Sequence, residues 1–273
     1  MAEPTRKNGE HRKKNGETRL GEARRAAIVE MLRAAGSVSV AEVQAELGVS
    51  PMTARRDLAE LSRRGLAQRT HGGAVIPSIS GQEDSFNQRL DAHPEAKRAL
   101  AEAAARRVGP HDAVFLDSST TSYFVAGRLL ELGIDLTLIT NSLPVMGLIA
   151  THAPSGVELV AVGGTLRTLT QSFVGSHAIR TVLRHFTDRA FVSVKALTDE
   201  GVLADVDPLE AEVKREMIAH AHESILLIDR SKLVARGLNA IAPISDISLV
   251  LAHGIEGAEL RGLKGFGVPV RLI

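Results

Sequence analysis

The sequence predicts an α/β chain in two parts: a small helical domain closed by a hairpin, then a larger domain built on a mostly parallel sheet. Three observations carry this. Over residues 20–76, apolar side chains recur at helical spacing and stop at glycines. Beyond residue 94, short apolar runs alternate with helix-like segments, the pattern of βαβ units. Charge divides the same way: residues 1–76 carry 14 Lys and Arg against 9 Asp and Glu, and the remainder 19 against 23. A length of 273 residues suits one or two domains. With 44% hydrophobic and 24% charged residues, wholesale disorder is excluded.

Residues 1–19 hold Arg6, Lys7, Arg12, Lys13 and Lys14 and almost no large apolar side chain. They read as a disordered basic tail, because they bury too little to offset ordering. Ile28, Met31, Leu32 and Ala35 then mark a first helix, ended by Gly36. Val43 and Leu47 mark a second, Val40–Leu47, closed by Gly48. Ser50-Pro51 opens a third, since Ser is a good N-cap and Pro suits the first helical position. It runs through Arg64 and stops at Gly65. Leu66–Arg69 and Ala74–Ile76 read as two strands around His71-Gly72-Gly73. Three helices and a hairpin make a winged helix-turn-helix over residues 20–76.

The third helix separates its faces. At 100° per residue, Arg55, Arg56 and Arg63 fall within about 60° of Met52, while Ala54, Leu58 and Leu61 lie about 120–180° away. Such a helix buries one side and offers arginines to a groove, where they can pair with guanine or hold phosphates. Ser50, Met52, Thr53, Arg55, Arg56, Arg63, Arg69 and His71 are the candidate contacts to double-stranded DNA.

Residues 77–93 are poor in apolar side chains and read as a linker to a second domain over 94–273. Pro94 starts an Ala-rich helix, Glu95–Val108. Strands are expected at Ala113–Leu116, Leu136–Ile139, Glu158–Val162, Ala190–Val194, Ser224–Ile228 and Ser248–Leu251. Helices are expected between them at Tyr123–Leu132, Val145–Ala150, Ile179–His185 and Leu209–Ala221. Several strands end in polar or small groups: Asp117, Ser118, Ser119, Thr120 and Thr121; Asn141 and Ser142; Gly163 and Gly164; Lys195; Asp229 and Lys232. In open α/β sheets, ligands bind beyond the carboxyl ends of strands. A Ser/Thr-rich turn before a helix also suits phosphate oxygens. With Arg167 beside the paired glycines, these residues are the candidate ligand site. Lys195 reads equally as a phosphate partner or a surface charge.

Other chemistry is thin. The absence of cysteine excludes disulfides, thiolate metal sites and a cysteine nucleophile. His220, His222 and Glu223 read as a solvated face rather than metal ligands, and Asp207 through Glu210 as a helix cap rather than acidic catalysis. There is no P-loop, GxGxxG fingerprint or GxSxG elbow. No catalytic residue, metal or cofactor is expected. No apolar stretch approaches about 18 residues and no apolar h-region follows the basic front. A membrane partner is therefore not expected, and the cytoplasm, at the nucleoid, is the expected place.

The residues Arg24, Ile28 and Leu32, the run Val49–Leu58 containing TxRRDL, and RxHGGA over Arg69–Ala74 resemble the DeoR-type family of bacterial transcription regulators. The resemblance continues through LDSSTT, ITNS, VGGTLR and LLIDRSK, covering nearly the whole chain after residue 20. It implies a repressor with a sensor domain similar in fold to ribose-5-phosphate isomerase and the CoA-transferases. It also implies a phosphorylated sugar as effector and a homodimer or homotetramer. The chain departs from the family pattern at Ser119 and Ser193, usually glycine; at Lys195-Ala196, usually a polar residue and glycine; and at Ala252-His253, where an acidic residue usually follows the strand. The competing expectation is an isomerase-like enzyme with a fused DNA-binding module, for which Asp117, Asp229, Lys195 and Lys232 would have to supply acid and base.

Overall fold

Glycine and proline punctuation cuts the chain into short elements, which gather into two units, residues 1–82 and 83–273. The computed structural model describes residues 21–32, 35, 37–63, 67–70, 72–75, 83–152 and 155–273. The basic tail, His71 and most of the first half of the expected linker lie outside them.

In the first unit, helix α1 (residues 21–32) is followed by β1 (Ser37–Ser39), α2 (Val40–Leu47), α3 (Pro51–Arg63), β2 (Gln68–Arg69) and β3 (Gly73–Val75). Strand β1 was not expected from the sequence. It pairs antiparallel with β3, which pairs with β2, so the hairpin becomes a three-stranded wing. Ser39 caps α2 in a capping box with Glu42, and Gly48 ends it with a left-handed φ of 62°. Ile28, Leu32, Val38, Val43, Ala54, Leu58 and Leu61 form the core of this unit.

The second unit opens with α4 (Phe86–Asp91), which lies inside the segment read as a linker. Its capping box pairs Ser85 with Gln88, and Phe86 is buried edge-on against Tyr123. Then follow α5 (Pro94–Ala105), β4 (Ala113–Leu116), α6 (Thr120–Leu132), β5 (Leu136–Thr140), α7 (Leu143–His152) and β6 (Val157–Ala161). A hairpin of β7 (Thr165–Arg167) and β8 (Ser172–Val174) leads to α8 (Ser176–Val182) and β9 (Thr187–Val192). The chain continues through β10 (Ala196–Leu197), β11 (Val202–Asp205), α9 (Pro208–Ala219), β12 (Ala221–Asp229), α10 (Ser231–Val234) and β13 (Asn239–Pro243). It ends with β14 (Leu249–His253), α11 (Gly257–Gly265) and β15 (Val270–Leu272).

Seven strands pair in parallel in the order β15-β14-β12-β9-β4-β5-β6. Alternate residues feed opposite faces. Val114 and Leu116 pack with α5, α6 and α7, while Phe115 packs with α8 and α9. A third cluster joins β12 and β14 to the small antiparallel sheet β10-β11-β13 and to α11. From β4 the chain builds outward through β5 and β6, then returns to lay β9 on the other side of β4. The β4/β9 junction is therefore the switch point where a crevice opens beyond the strand ends.

Candidate functional site

Helix α3 presents the basic face expected of it. Ala54, Leu58 and Leu61 are buried, Met52 is 73% exposed, and Arg55 and Arg56 are exposed. Ser50 Oγ accepts from the Thr53 backbone N–H at 3.2 Å and shares a hydrogen bond with Thr53 Oγ1 at 2.9 Å, capping the helix. Arg69 on β2 reaches back to the Arg55 carbonyl at 3.3 Å. The Arg63 side chain and His71 lie outside the described residues. Asp57 went unnoticed as a structural group. It is buried, and its carboxylate accepts from Arg24 Nε and, at 3.2 Å, from Arg25, tying α3 to α1. Its angle about 140° from Met52, on the apolar side, was the available signal.

At the β4/β9 switch point, a cavity of about 250 Å³ opens in the second unit. Ser119, Thr120, Thr121, Lys195, Asp229 and Lys232 line it, all expected from the sequence. Ser193, noted above only as a departure from the family pattern, lines it as well, and so do Arg89, Lys97, Asp205 and Lys214, which were missed. Ser119 N-caps α6 by accepting from the Ser122 N–H at 3.1 Å, so the free end of that helix faces the cavity wall with Thr120 and Thr121 in its first turn. The Ser119 hydroxyl is already given to Asp117 at 2.5 Å. It serves the frame before any ligand.

Asp117 does not line the cavity. It is wholly buried and salt-bridged to Lys214 at 2.7 Å, while Ser119 and Ser193 donate backbone N–H groups to it at 3.0 Å. The two serines that depart from the family pattern thus meet at one carboxylate. Burial alone would raise the Asp117 pKa, but the Lys214 ammonium and the hydroxyls of Ser119 and Ser122 hold it below the usual range. Lys214 also donates to the Ser193 carbonyl at 2.7 Å and lies 3.4 Å from Asp205. Against the cost of burial, these carboxylates raise its pKa. Unlike that of Asp117, the Asp205 pKa is raised, by burial and by Glu210 nearby despite Lys214.

A second buried hub is Glu210. Asp207 caps α9 as expected, but Glu210 points inward to accept from Ser118 at 2.7 Å, Thr170 at 2.8 Å, Ser172 and Arg167 at 3.1 Å. Arg167 also holds Glu83 at 2.6 Å and Asp207 at 3.3 Å. Ser118 and Arg167 therefore belong to this network rather than to the cavity lining. Asn141 donates to the Phe173 carbonyl at 2.9 Å, and Ser142 pairs with Ser172; both tie β8 to the end of β5. Gly163 and Gly164 border a separate open depression with Thr165, His177, Arg180, Thr181 and Arg184.

Positive charge crowds the cavity. Burial, with Lys195, Arg89 and Lys214 nearby, lowers the Lys232 pKa although Asp229 works against it. Burial, with Lys232 beside it, pushes Lys97 down to about 8. Asp229 stays below its ordinary range despite burial, because Ser231 donates to it and Lys232 is close. The carboxylates of Glu83, Asp84, Asp205 and Asp229 line the same cavity.

His220 Nδ1 lies 2.9 Å from the Glu216 carbonyl, and Glu223 pairs with Arg107 and Arg189. Among the described residues, no group of three His, Asp or Glu is placed to hold a metal, and no helix is long and apolar enough to cross a membrane.

Comparison with known proteins places the chain in a family. A DeoR-like helix-turn-helix model matches residues 24–80, and a DeoR C-terminal sensor domain model matches residues 92–253. A putative aga operon transcriptional repressor of Escherichia coli O157:H7 is 35% identical over 92% of this chain and 93% of its own. The glycerol-3-phosphate regulon repressor of Escherichia coli K12 is 30% identical over 82% of this chain and 86% of its own. Among solved structures, ribose 5-phosphate isomerase A from Methanocaldococcus jannaschii aligns with 17% identity and a TM-score of 0.38 over 52% of this chain and 55% of that one. With both domain models matched in order and relatives aligned along most of its length, the protein belongs to the DeoR family of transcriptional regulators.

Proposed function

We propose that this protein is a repressor of a sugar or carbohydrate catabolic operon, released from its operator when a small phosphorylated sugar enters the sensor cavity. The carrying observation is the cluster of Arg89, Lys97, Lys195 and Lys232 around the free end of α6. Helix N–H groups and cations together favour phosphate oxygens. A volume of about 250 Å³ lies at the lower edge of ordinary ligand pockets, so a compact metabolite suits it and a dinucleotide does not. Asp229 and Ser231 supply polar partners for sugar hydroxyls. The names of the relatives, repressors of an aga operon and of a glycerol-3-phosphate regulon, support the same reading.

On the DNA side, α3 enters the major groove with Ser50, Met52, Thr53, Arg55 and Arg56, flanked by Arg63, Arg69 and His71. Symmetric operators call for a homodimer or homotetramer acting on nucleoid DNA in the cytoplasm. The cavity binds; it is not assigned catalysis. The test is a thermal-denaturation screen with pentose and hexose phosphates and their unphosphorylated forms, followed by gel shifts on the protein's own promoter. One phosphorylated sugar is expected to raise the melting temperature and weaken DNA binding, while its parent sugar does neither. Turnover of that compound without release of DNA would instead favour the isomerase reading.

A further inference from the structure

The stretch that opens the second unit, residues 83–91, contributes Glu83, Asp84 and Arg89 to the cavity wall. Arg89 lines the cavity, yet its Nε and Nη2 are shut off from water with no hydrogen-bond partner. Stranding donors of a charged group is costly, so this arrangement persists against local energetics. The Arg89 charge is felt by Asp205, but no carboxylate among the described residues is hydrogen-bonded to those two nitrogens. Glu83 is spent on Arg167, and Asp205 on Lys214.

The Arg89 backbone, by contrast, is fixed. Its carbonyl accepts from Lys97 Nζ and, at 3.4 Å, from Thr120 Oγ1 at the start of α6. Lys97 also holds the Ala92 carbonyl, clamping the end of α4. The Arg89 backbone is therefore held at the start of α6, and the residue's charge is felt by Lys97 and Lys232. On the same stretch, the Asp84 carboxylate lies 3.7 Å from Lys195 Nζ and is more than half exposed. An exposed pair of that kind is weak and easily displaced.

We propose that residues 83–91 read the effector: Arg89 takes its anionic group, and Asp84 is an internal carboxylate that the ligand displaces from Lys195. The inference rests on the cavity being a phosphate site and adds where the signal leaves it. Residues 83–91 follow the DNA-binding unit in the chain, so a ligand that engages Arg89 and frees Asp84 acts on the stretch through which that unit is joined.

The test uses the full chain, with inorganic phosphate titrated by calorimetry into the parent, Arg89→Gln, Arg89→Lys, Asp84→Asn and Lys232→Ala. Arg89→Gln is expected to weaken phosphate binding about tenfold, the scale of one charge-assisted hydrogen bond. Arg89→Lys should recover part of this, since it keeps the charge but not the fork. Asp84→Asn should tighten phosphate binding by about two- to fivefold, the scale of an exposed ion pair. Without phosphate, the melting temperature of Arg89→Gln should match or exceed the parent's, which a structural arginine would not allow. Unchanged affinity in Arg89→Gln alongside loss in Lys232→Ala overturns the proposal and leaves the cavity reading standing. Unchanged or weaker binding by Asp84→Asn overturns the role given to that carboxylate. Absence of phosphate binding by the parent overturns the cavity reading itself, and this inference with it.

Discussion

Asp117 and Lys214 form a buried pair whose two members were unequally visible in the sequence. Asp117 stood out at a strand end and was expected to meet a ligand. Lys214 was not singled out. The missed signal is that Glu210, Lys214 and Met217 fall at helical spacing on the buried stripe of α9, so two charges sit where apolar residues belong. Removing one partner leaves the other charge buried alone, and Lys214→Met is expected to cost about 3–5 kcal/mol in urea denaturation. Adding Asp117→Asn should recover much of that loss. Asp117 titrates below its unfolded value, so its contribution is complete above about pH 4 and drains as pH falls through the folded value. Lys97 gives a second pH signature. Facing it are Lys232, Asp229, Arg89, Asp91 and the nearby His93, and its pKa lies at about 8 against an ordinary 10.5. An anion in the cavity favours the charged ammonium, so binding takes up a proton. Phosphate affinity should therefore fall as pH rises through 8, and Lys97→Met should abolish that fall in calorimetric titrations across pH.

Elements were legible wherever an unbroken apolar run or a regular helical spacing marked them. Strand β4 lies at Ala113–Leu116 as expected, and β5, β6, β12 and β14 fall within a few residues of the runs that announced them. Helix α6 begins at Thr120 rather than Tyr123 because Ser119 caps it, so residues read only as a polar turn are its first turn. Strands of two to four residues, β7, β8, β10 and β11, have too few positions for a period-two pattern. Helix α4 was hidden for a similar reason, its Ser85–Gln88 capping box being the one local mark. Strand β1 explains a glycine better than the expected turn did. A Cβ on Gly73 would lie 2.1 Å from the Val38 carbonyl, so β1 and β3 approach too closely for any side chain there. Gly73→Ala should displace the wing and lower the melting temperature of the first unit. On α3 the two faces predict opposite phenotypes. Arg55→Ala or Arg56→Ala should each weaken operator binding by about 1–3 kcal/mol at fixed salt, with folding intact. Leu58→Ala should cost about 2–5 kcal/mol of stability, because Leu58 is fully buried in the small core. Equal DNA affinity in both arginine variants would remove α3 from the interface.

At the scale of the whole molecule, two units share one chain, and the regulatory question is how occupancy of one alters the other. Alternating strands and helices made a parallel sheet legible, but strand order was not, because it depends on which side of β4 the chain returns to. That return creates the crevice, and it brings residues as distant in sequence as Arg89, Thr120, Lys195 and Lys232 to one cavity. A ligand shifts an equilibrium only by its differential affinity for the two states, and the coupling is reciprocal. If the effector weakens operator binding by some factor, saturating operator DNA must weaken effector binding by the same factor. Effector titrations into the free protein and into the protein–operator complex should show that equality. Thr120→Val with Thr121→Val places two near-isosteric changes at the end of α6. It should lower effector affinity while leaving operator affinity without effector at the parent's value. The concentration of effector needed to release DNA should then rise by the same factor as the loss measured on the free protein. A variant that binds effector normally yet fails to release DNA would locate the break in coupling rather than in the phosphate site, and residues 83–91 are where it should fall.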